Sequence, residues 1–215
     1  MLQIDLYTEI SCPWCLIGQY RLNKVLRERF PTLVTNIRHH PVLLLSHVPV
    51  TGLYIPDLLK KRYGVTNPKS SFARVETEAL KSGLELDLSR QLYTYPTQAA
   101  HALIMAASEK GTQHKLAVAI TEAYFLGAQN IADVNILANV ALSYGFEHDE
   151  AISIATDPEC YARVAHEAEN SMLQGVRSVP HFIFAEQFEI NGGRSEDEIA
   201  FAIEKALLKN QTSVS

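Results

Sequence analysis

The hydrophobic pattern opens with a short segment of alternating character. Residues 2–8 place apolar side chains on every second position, which predicts a β-strand with one buried face. A turn follows, and from Pro13 to about Phe30 the apolar positions recur at helical spacing. Residues 34–45 are again rich in apolar side chains and predict a second strand. The beginning of the chain therefore predicts the order β-α-β.

The middle of the chain has a different character. Proline and glycine punctuate one helical pattern after another, and no segment there predicts a convincing strand. The predicted helices lie at 56–64, 68–83, 100–107, 116–123, 133–145 and 157–175. Their unequal lengths and lack of self-similarity argue against a repeat array. We therefore expect a helical insertion between two β-containing ends.

The period returns to two after Gly175. Residues 180–184 and 188–190 predict two strands, joined as a hairpin. A final helix follows, and Ser195 and Glu198 have the spacing of a capping box at its start. The two ends together predict βαβ and ββα units, which pack as one central sheet with helices on both faces.

Composition narrows the functional classes. The chain has 215 residues, of which 47% are hydrophobic and 20% charged, so it can bury a substantial core. The chain contains 19 Lys and Arg residues and 24 Asp and Glu residues, which gives a net charge of -5. This negative charge argues against a nucleic-acid partner. No apolar stretch reaches the roughly 18 residues of a membrane span. No signal peptide is visible, so we expect no membrane association and a cytoplasmic protein.

The chemistry is concentrated in the motif Cys12-Pro13-Trp14-Cys15. Three cysteines are too few for a disulfide scaffold, and a closely spaced pair indicates catalysis or metal binding. Cys side chains three apart at a helix start lie on one face, about 5–6 Å apart at Cβ. Cys12 would precede the helix, where free backbone N–H groups stabilise a thiolate. We therefore predict Cys12 as the nucleophile and Cys15 as the resolving thiol.

A zinc site is the alternative interpretation of the cysteine pair. Zinc requires two further ligands, and the chain contains no second C-x-x-C or H-x3-5-H pattern. The histidines at 39, 40 and 47 are too scattered to complete such a site. Cys160 falls on a predicted helix and is expected to be a small buried residue, with an accessory redox thiol as the other option. We expect no metal and no cofactor.

These motifs resemble the DsbA-like thioredoxin superfamily, and most of all its FrnE-type branch. That branch is related to the kappa-class glutathione transferases and the 2-hydroxychromene-2-carboxylate isomerases. Besides the cysteine motif, the resemblance rests on Glu9, on the Ala100-His101 pair and on the segment Gly175 to Pro180. It implies an α/β thioredoxin fold with a large helical insertion domain. The thioredoxin-like domain would comprise 1–49 and 176–215, and the insertion domain 50–175.

The resemblance also implies roles for individual residues. It implies a cis peptide bond between Val179 and Pro180, facing Cys12, with backbone groups free to pair with an extended substrate. The resemblance implies that Glu9 relays a proton for Cys15. The alternative role of Glu9 is to cap the turn before the helix. The substrate-binding residues would be Pro13, Trp14, Val179 and Pro180.

The predicted function is that of a thiol-disulfide oxidoreductase. Its partners would be protein or peptide thiols and disulfides, with glutathione as a candidate co-substrate. One alternative is a glutathione-dependent transferase or isomerase, although those relatives usually have Ser at the first position and lack the second Cys. A further alternative is a thioredoxin-fold module that binds peptides without catalysis. The sequence assigns no oligomeric state.

Overall fold

The fold is described from a computed structural model covering residues 1–45 and 47–212, with the side chains of 210–212 left aside. The order of elements confirms the predicted βαβ, helical and ββα segments. In chain order these are β1 (Leu2–Thr8), α1 (Pro13–Arg29), β2 (Thr35–Pro41), β3 (Leu53–Tyr54), α2 (Ile55–Tyr63), α3 (Pro68–Leu80), β4 (Tyr93–Thr94), α4 (Gln98–Ala106), α5 (Gln113–Phe125), α6 (Val134–Ala141), α7 (His148–Thr156), α8 (Pro158–Leu173), β5 (His181–Phe184), β6 (Phe188–Asn191) and α9 (Glu196–Thr212).

A mixed four-stranded sheet forms the centre, in the order β2-β1-β5-β6. Strands β1 and β2 are parallel, whereas β5 pairs antiparallel with both β1 and β6. The hairpin between β5 and β6 is confirmed. Ala185 and Glu186 have φ values of 51° and 58°, and two successive left-handed residues form the turn that suits the twist of a tight hairpin.

Helices cover both faces of this sheet, as the pattern predicts. Leu2, Ile4 and Leu6 of β1 point to one face, where α1 and α9 bury them. Tyr7 points to the other face, and its hydroxyl donates a hydrogen bond of 2.8 Å to Gln174, directly after α8. The alternation along β1 is therefore the physical basis of the layered arrangement.

Helix α1 takes part in two hydrophobic cores. Leu22 and Val25, in its second half, pack with the sheet and α9. Leu16 and Ile17, in its first half, pack with apolar side chains of the helical segment. The start of α1 is consequently held between the sheet and the helices that precede β5, and this fixes the position of the cysteine motif.

Three local features differ from the prediction. The second strand ends at Pro41 rather than at residue 45. The middle of the chain does contain strands, because β3 and β4 pair over two residues each. Helix α7 was not predicted, since its capping box uses Glu147 in place of the usual Ser or Thr.

Helices α2 to α8 lie between Ile55 and Leu173, inside the range of the predicted insertion domain, 50–175. The division of the chain into two domains at these boundaries stays a prediction. Ser46 and residues 213–215, which the predicted thioredoxin-like domain includes, lie outside the described residues. Among the described helices, none combines the length and the apolar character needed to cross a bilayer.

Candidate active site

Cys12 and Cys15 lie at the first turn of α1. Cys12 is the N-cap residue, with extended backbone angles, and Pro13 follows in the first helical turn. The Cys15 N–H donates to the Cys12 carbonyl at 2.9 Å, which closes the turn. Cys12 keeps 8% of its surface exposed, whereas Cys15 is fully buried, and both are free thiols. An incoming disulfide therefore meets Cys12 first.

The environment shifts the pKa values of the two thiols in opposite directions. A hydrogen bond from the Cys15 thiol lowers the pKa of Cys12. Burial would raise this pKa, but backbone hydrogen bonds from Cys15 and Trp14 lower it further, so the net shift is downward. Burial raises the pKa of Cys15 well above its ordinary value, and its contact with Cys12 adds to this. The shared proton thus belongs to Cys15, and the nucleophilic thiolate to Cys12.

Glu9 lies directly behind the cysteines. It is 1% exposed, and its carboxylate accepts backbone N–H groups on both oxygens, from Ser11 at 3.3 Å and from Leu44 at 3.1 Å. The Cys12 N–H donates to the Glu9 carbonyl at 3.1 Å. The residue therefore fastens the turn between β1 and α1 to the loop after β2, and its role as a proton relay stays a prediction.

His101 is a site residue that the sequence indicated only as part of a family motif. It lies on α4, is 3% exposed, and its Nε2 is 3.6 Å from Oε1 of Glu9. That distance is suitable for an ion pair but too long for a hydrogen bond, and Nε2 has no hydrogen-bond partner. In the sequence, His101 is a titratable residue among the apolar positions of α4, and this is the one local feature that could have marked it as a site residue.

The predicted cis peptide between Val179 and Pro180 is confirmed. The proline ring packs against Gly18 of α1, one turn after Cys15, where an added Cβ would lie 2.8 Å from Pro180 Cγ. Val179 is half-buried and Pro180 is buried. The cis-proline loop therefore lies beside the start of α1, and substrate binding by these two residues stays a prediction.

Trp14 lies between two contacts. Its ring touches Gly193, where an ideal Cβ would be only 2.6 Å from Cε3 of the indole. The guanidinium carbon of Arg74 lies 5.9 Å from the ring centre, within the range of a cation–π contact. The indole thus contacts both Gly193 and Arg74 and remains half-buried at the cysteine motif.

A cavity of about 330 Å³ opens beside Cys12. It is lined by Cys12, Pro13 and Trp14 of the cysteine motif and by apolar side chains of α2 and α3 such as Leu58 and Phe72. The exposed Arg62 stands at its edge and donates to the Leu44 carbonyl at 3.2 Å. The residues that line the cavity do not include Val179 or Pro180. An apolar group bound there would lie next to the Cys12 sulfur.

Cys160 lies apart from this arrangement. It packs on α8 in a small core with Ala102 and Val164, between Asp157 and Arg163. Burial raises the pKa of its thiol, which makes it a poor nucleophile. Within residues 1–45 and 47–212, no cluster of three or more His, Cys, Asp or Glu side chains is arranged to hold a metal ion.

A central β2-β1-β5-β6 sheet, a C-x-x-C motif at the start of the first helix and a cis-proline before β5 define a thioredoxin-like protein. Comparison with protein families specifies the class further. The model of the DSBA-like thioredoxin domain matches residues 3–204, and the chain belongs to this family. No curated protein matched the sequence.

Solved structures share the fold across nearly the whole chain. The "probable DsbA oxidoreductase" of Streptomyces coelicolor superposes with a TM-score of 0.85 at 21% identity, covering 96% of this chain and 90% of its own. A 2-hydroxychromene-2-carboxylate isomerase gives 0.69 at 13% identity, with 99% of both chains covered. The cytosolic disulfide reductase DsbM of Pseudomonas aeruginosa, solved with glutathione, gives 0.66 at 18%, covering 98% of this chain and 99% of its own. At these identities the likeness shows the fold alone.

Proposed function

We propose that this protein is a thiol-disulfide oxidoreductase of the DsbA and FrnE type. The observation that carries the proposal is the pair of hydrogen-bonded thiols at the start of α1, of which the outer one, Cys12, has the lowered pKa. A stabilised outer thiolate and a protonated inner thiol are what stepwise disulfide exchange requires. Pro13, Trp14, Val179 and Pro180 are the proposed substrate contacts.

The exchange proceeds in two balanced steps. The Cys12 thiolate attacks one sulfur of a substrate disulfide, forms a mixed disulfide and expels the other substrate sulfur as a thiolate, which takes up a proton. Cys15 then loses its proton and attacks the Cys12 sulfur. The Cys12–Cys15 bond forms and the second substrate thiolate leaves, so two electrons pass to the substrate. The reverse sequence oxidises a substrate dithiol.

The direction of electron flow follows from the stability of the Cys12 thiolate. A more stable thiolate is a better leaving group and makes the cysteine pair more oxidising, for which DsbA is the established example. Against a cytosolic glutathione pool at roughly -220 to -320 mV, such a pair rests as the dithiol. We place the protein in the cytoplasm, where reduction or isomerisation of protein and peptide disulfides is then its net direction, with glutathione as a co-substrate.

The test is to trap the mixed disulfide. A Cys15→Ser variant, incubated with a peptide disulfide, should accumulate an adduct of one peptide thiol at Cys12. The wild-type protein should turn over without accumulating it, and Cys12→Ser should form none. Cys160→Ser is the matched control and should behave as the wild type. Absence of both turnover and adduct would contradict the proposal.

A glutathione-dependent isomerase or transferase is the second candidate. The cavity beside Cys12 favours it, because the cavity is lined mainly by apolar side chains and suits an apolar co-substrate. Cys12 would then only polarise the sulfur of bound glutathione. A Cys12→Ser variant that keeps its rate with glutathione and an apolar electrophile would support this candidate over disulfide exchange.

A binding module without catalysis is separated from both enzymes by the same variants. Peptide binding that persists in Cys12→Ser, together with no adduct in Cys15→Ser, would identify it. A further measurement is the fraction of the wild-type Cys12–Cys15 pair that is oxidised at equilibrium in a series of glutathione redox buffers. It gives the direction of exchange.

A further inference from the structure

The turn after β6 contacts both parts of the proposed substrate site. Asn191 ends β6, and Gly192 follows with a φ of 80°, which glycine adopts without strain. The Gly192 N–H donates to the Pro180 carbonyl, in the loop before β5, at 2.7 Å. The next residue, Gly193, lies against the indole of Trp14, as described above. One short segment therefore joins the loop before β5 to the cysteine motif.

Two side chains bind the loop before β5, residues 178–180, to Asn191. His181 directly follows the loop, and its Nδ1 is hydrogen-bonded to Oδ1 of Asn191. The Ser178 hydroxyl, at the start of the loop, lies 3.4 Å from the same oxygen. Because an amide oxygen can only accept, both groups donate to it. The Asn191 side chain thus binds the chain on both sides of the two proposed substrate contacts.

The His181 ring is held on several sides. It is 4% exposed, and the Tyr7 ring meets it edge-on, with 5.5 Å between the ring centres. Its Nε2 lies 3.4 Å from Oε2 of Glu189 on β6. Both ring nitrogens therefore face oxygen atoms of the same strand, which restricts rotation of the ring. No step of the proposed exchange uses this buried imidazole, so its place beside the loop has another cause.

Val179, between the two anchored residues, keeps its backbone groups free. In the part of the chain that the structure describes, no group hydrogen-bonds the Val179 N–H or carbonyl. An extended peptide can pair with such groups in the manner of an added strand. A loop that is fixed before binding gives higher affinity, because less conformational freedom is lost in the complex. A small disulfide that reacts only with the Cys12 sulfur gains nothing from this loop.

We propose that His181 and Asn191 are positioning residues that select peptide disulfides over small disulfides. The inference rests on the proposed function. The hydrogen bond between the two side chains holds residues 178–180 beside Trp14 in the arrangement that an extended peptide requires. The pair acts through the loop and not on the sulfurs. Its loss therefore weakens the binding of a peptide without slowing the thiol chemistry.

The first experiment compares Asn191→Ala with the wild type in single-turnover reduction of two disulfides. One is a short peptide with an internal disulfide, and the other is bis(2-hydroxyethyl) disulfide. Acid quenching and mass analysis follow the oxidation of Cys12 and Cys15 at increasing disulfide concentration. For the peptide, we expect the half-saturating concentration to rise about fivefold, the usual effect of one lost hydrogen bond. The limiting rate, and the rate with the small disulfide, should change less than about twofold.

Two further variants show whether the hydrogen bond is the cause. Asn191→Asp keeps an accepting oxygen, so its half-saturating concentration should stay within about twofold of the wild type. Asn36→Ala is the matched control, because Asn36 is exposed on β2 at the opposite edge of the sheet and bonds only a nearby Gln3 at 2.8 Å in the contacts described. It should match the wild type with both disulfides.

Three results would overturn the inference. One is an Asn191→Ala protein with an unchanged half-saturating concentration for the peptide. Another is an equal loss with both disulfides, which is the result of a merely structural role. The last is an Asn191→Asp protein that behaves as Asn191→Ala does.

A double-mutant comparison tests whether His181 and Asn191 act through one contact. His181→Phe keeps a ring against Tyr7 but has no donor for Asn191. The combined effect of His181→Phe and Asn191→Ala on peptide affinity should be smaller than the product of the single effects, and independent effects would contradict the inference. His40→Phe is the control, because His40 stacks on the other side of Tyr7, with 4.5 Å between the ring centres, and should keep the wild-type affinity.

The wild type separates failure of the inference from failure of the proposed function. A wild type that reduces neither disulfide would overturn the proposed function, and the inference with it. A wild type that reduces the small disulfide but shows no saturation with the peptide would overturn the inference alone. If His181→Phe does not fold, Asn191→Ala decides, because it changes an exposed position at the end of an edge strand.

Discussion

Gly18 and Pro180 are in direct contact, so the second turn of α1 packs against the cis-proline ring. An ideal Cβ at Gly18 would lie 2.8 Å from Pro180 Cγ and 3.1 Å from Cζ of Phe182. Gly18 has an ordinary helical backbone, so glycine is required here by space and not by conformation. The contact sets how closely the helix that carries the cysteines approaches the loop before β5.

Gly18→Ala should therefore destabilise the protein by about 1–3 kcal/mol, the usual cost of overpacking a buried contact. Alanine favours a helix interior over glycine by about 1 kcal/mol, so the sign of the result separates crowding from helix propensity. Chemical denaturation of the reduced protein is the measurement. Glu28→Ala, on the exposed end of the same helix, should stay within about 0.5 kcal/mol of the wild type. A Gly18→Ala protein as stable as the wild type would refute the contact.

The sequence predicts those parts of the fold that depend on local signals. Alternation defines β1, helical spacing and Pro13 define the start of α1, and the capping box of Ser195 and Glu198 is present with hydrogen bonds of 3.3 Å and 2.9 Å. Asp157 caps the start of α8, where its side chain accepts the Glu159 N–H at 2.8 Å. Each of these features is decided within about four residues, so it can be recognised without knowing the tertiary structure.

The remaining features depend on residues far apart in the chain. Strands β3 and β4 are only two residues long and exist because they pair across some forty positions of sequence. The Leu44 N–H reaches the Glu9 carboxylate from a loop, and His101 reaches it from a different helix. Neither contact has a local signature. The cysteine motif was therefore predictable, whereas the contacts that Leu44 and His101 make with Glu9 depend on how the loop after β2 and helix α4 pack against the site.

Arg21 of α1 provides a second test of how the site is held. It is 2% exposed and donates through all three nitrogens. Nε contacts Ser82 Oγ at 2.7 Å, and Nη2 contacts the carbonyl and carboxylate of Glu78 at 2.9 and 2.7 Å. Nη1 contacts the carbonyls of Gly193 and Arg194, both at 2.9 Å. The side chain thus links α3 to the turn that touches Trp14.

Arg21→Lys should destabilise the protein by about 2–3 kcal/mol, because one ammonium cannot replace a planar fork and buried carbonyls lose their donors. Thermal or urea unfolding provides the comparison. Arg27→Lys, on the same helix, is the control, since the Arg27 side chain is 67% exposed and pairs with the neighbouring, exposed Glu28. If both variants lose the same small amount of stability, the network contributes nothing specific.

The hydrogen bond from Cys15 leads to a prediction for the reactivity of Cys12. In a Cys160→Ser background, Cys15→Ala should raise the pKa of Cys12, because the first cause of its lowering is removed. The rate of iodoacetamide alkylation against pH measures this directly. Cys15→Ser is the matched control, because its hydroxyl still donates to the thiolate, and its profile should lie between those of Cys15→Ala and the protein with Cys15 intact. An unchanged midpoint in Cys15→Ala would contradict the assigned cause.

His39, which is buried, and His114, which is half-buried, form a hydrogen-bonded chain with Thr8 and Asn23. This chain predicts how stability depends on pH. The Thr8 hydroxyl lies 3.5 Å from Nδ1 of His39, and Nε2 of His39 lies 2.8 Å from Nδ1 of His114. Nε2 of His114 lies 2.7 Å from the Asn23 side-chain oxygen. Two neutral rings satisfy this chain, each donating through Nε2 and accepting at Nδ1. A proton on either ring would disturb it.

Burial lowers the pKa of His114 from 6.5 to about 4, and burial followed by the charge of His114 lowers that of His39 well below 6.5. The unfolded chain therefore binds more protons than the folded protein between about pH 6.5 and 4. Stability from these groups is complete above pH 6.5 and is lost as the pH falls through that window. At about 1.4 kcal/mol per pKa unit, His114 alone accounts for about 3 kcal/mol.

Urea unfolding of the wild type and His114→Gln at a series of pH values tests this prediction. The wild type should lose stability steeply between pH 6.5 and 4.5, and the variant should show a shallower slope because one of the two imidazoles no longer titrates. His166→Gln removes an exposed histidine and should keep the wild-type slope. Equal slopes in the wild type and His114→Gln would show that the protons taken up during acid unfolding bind to other groups.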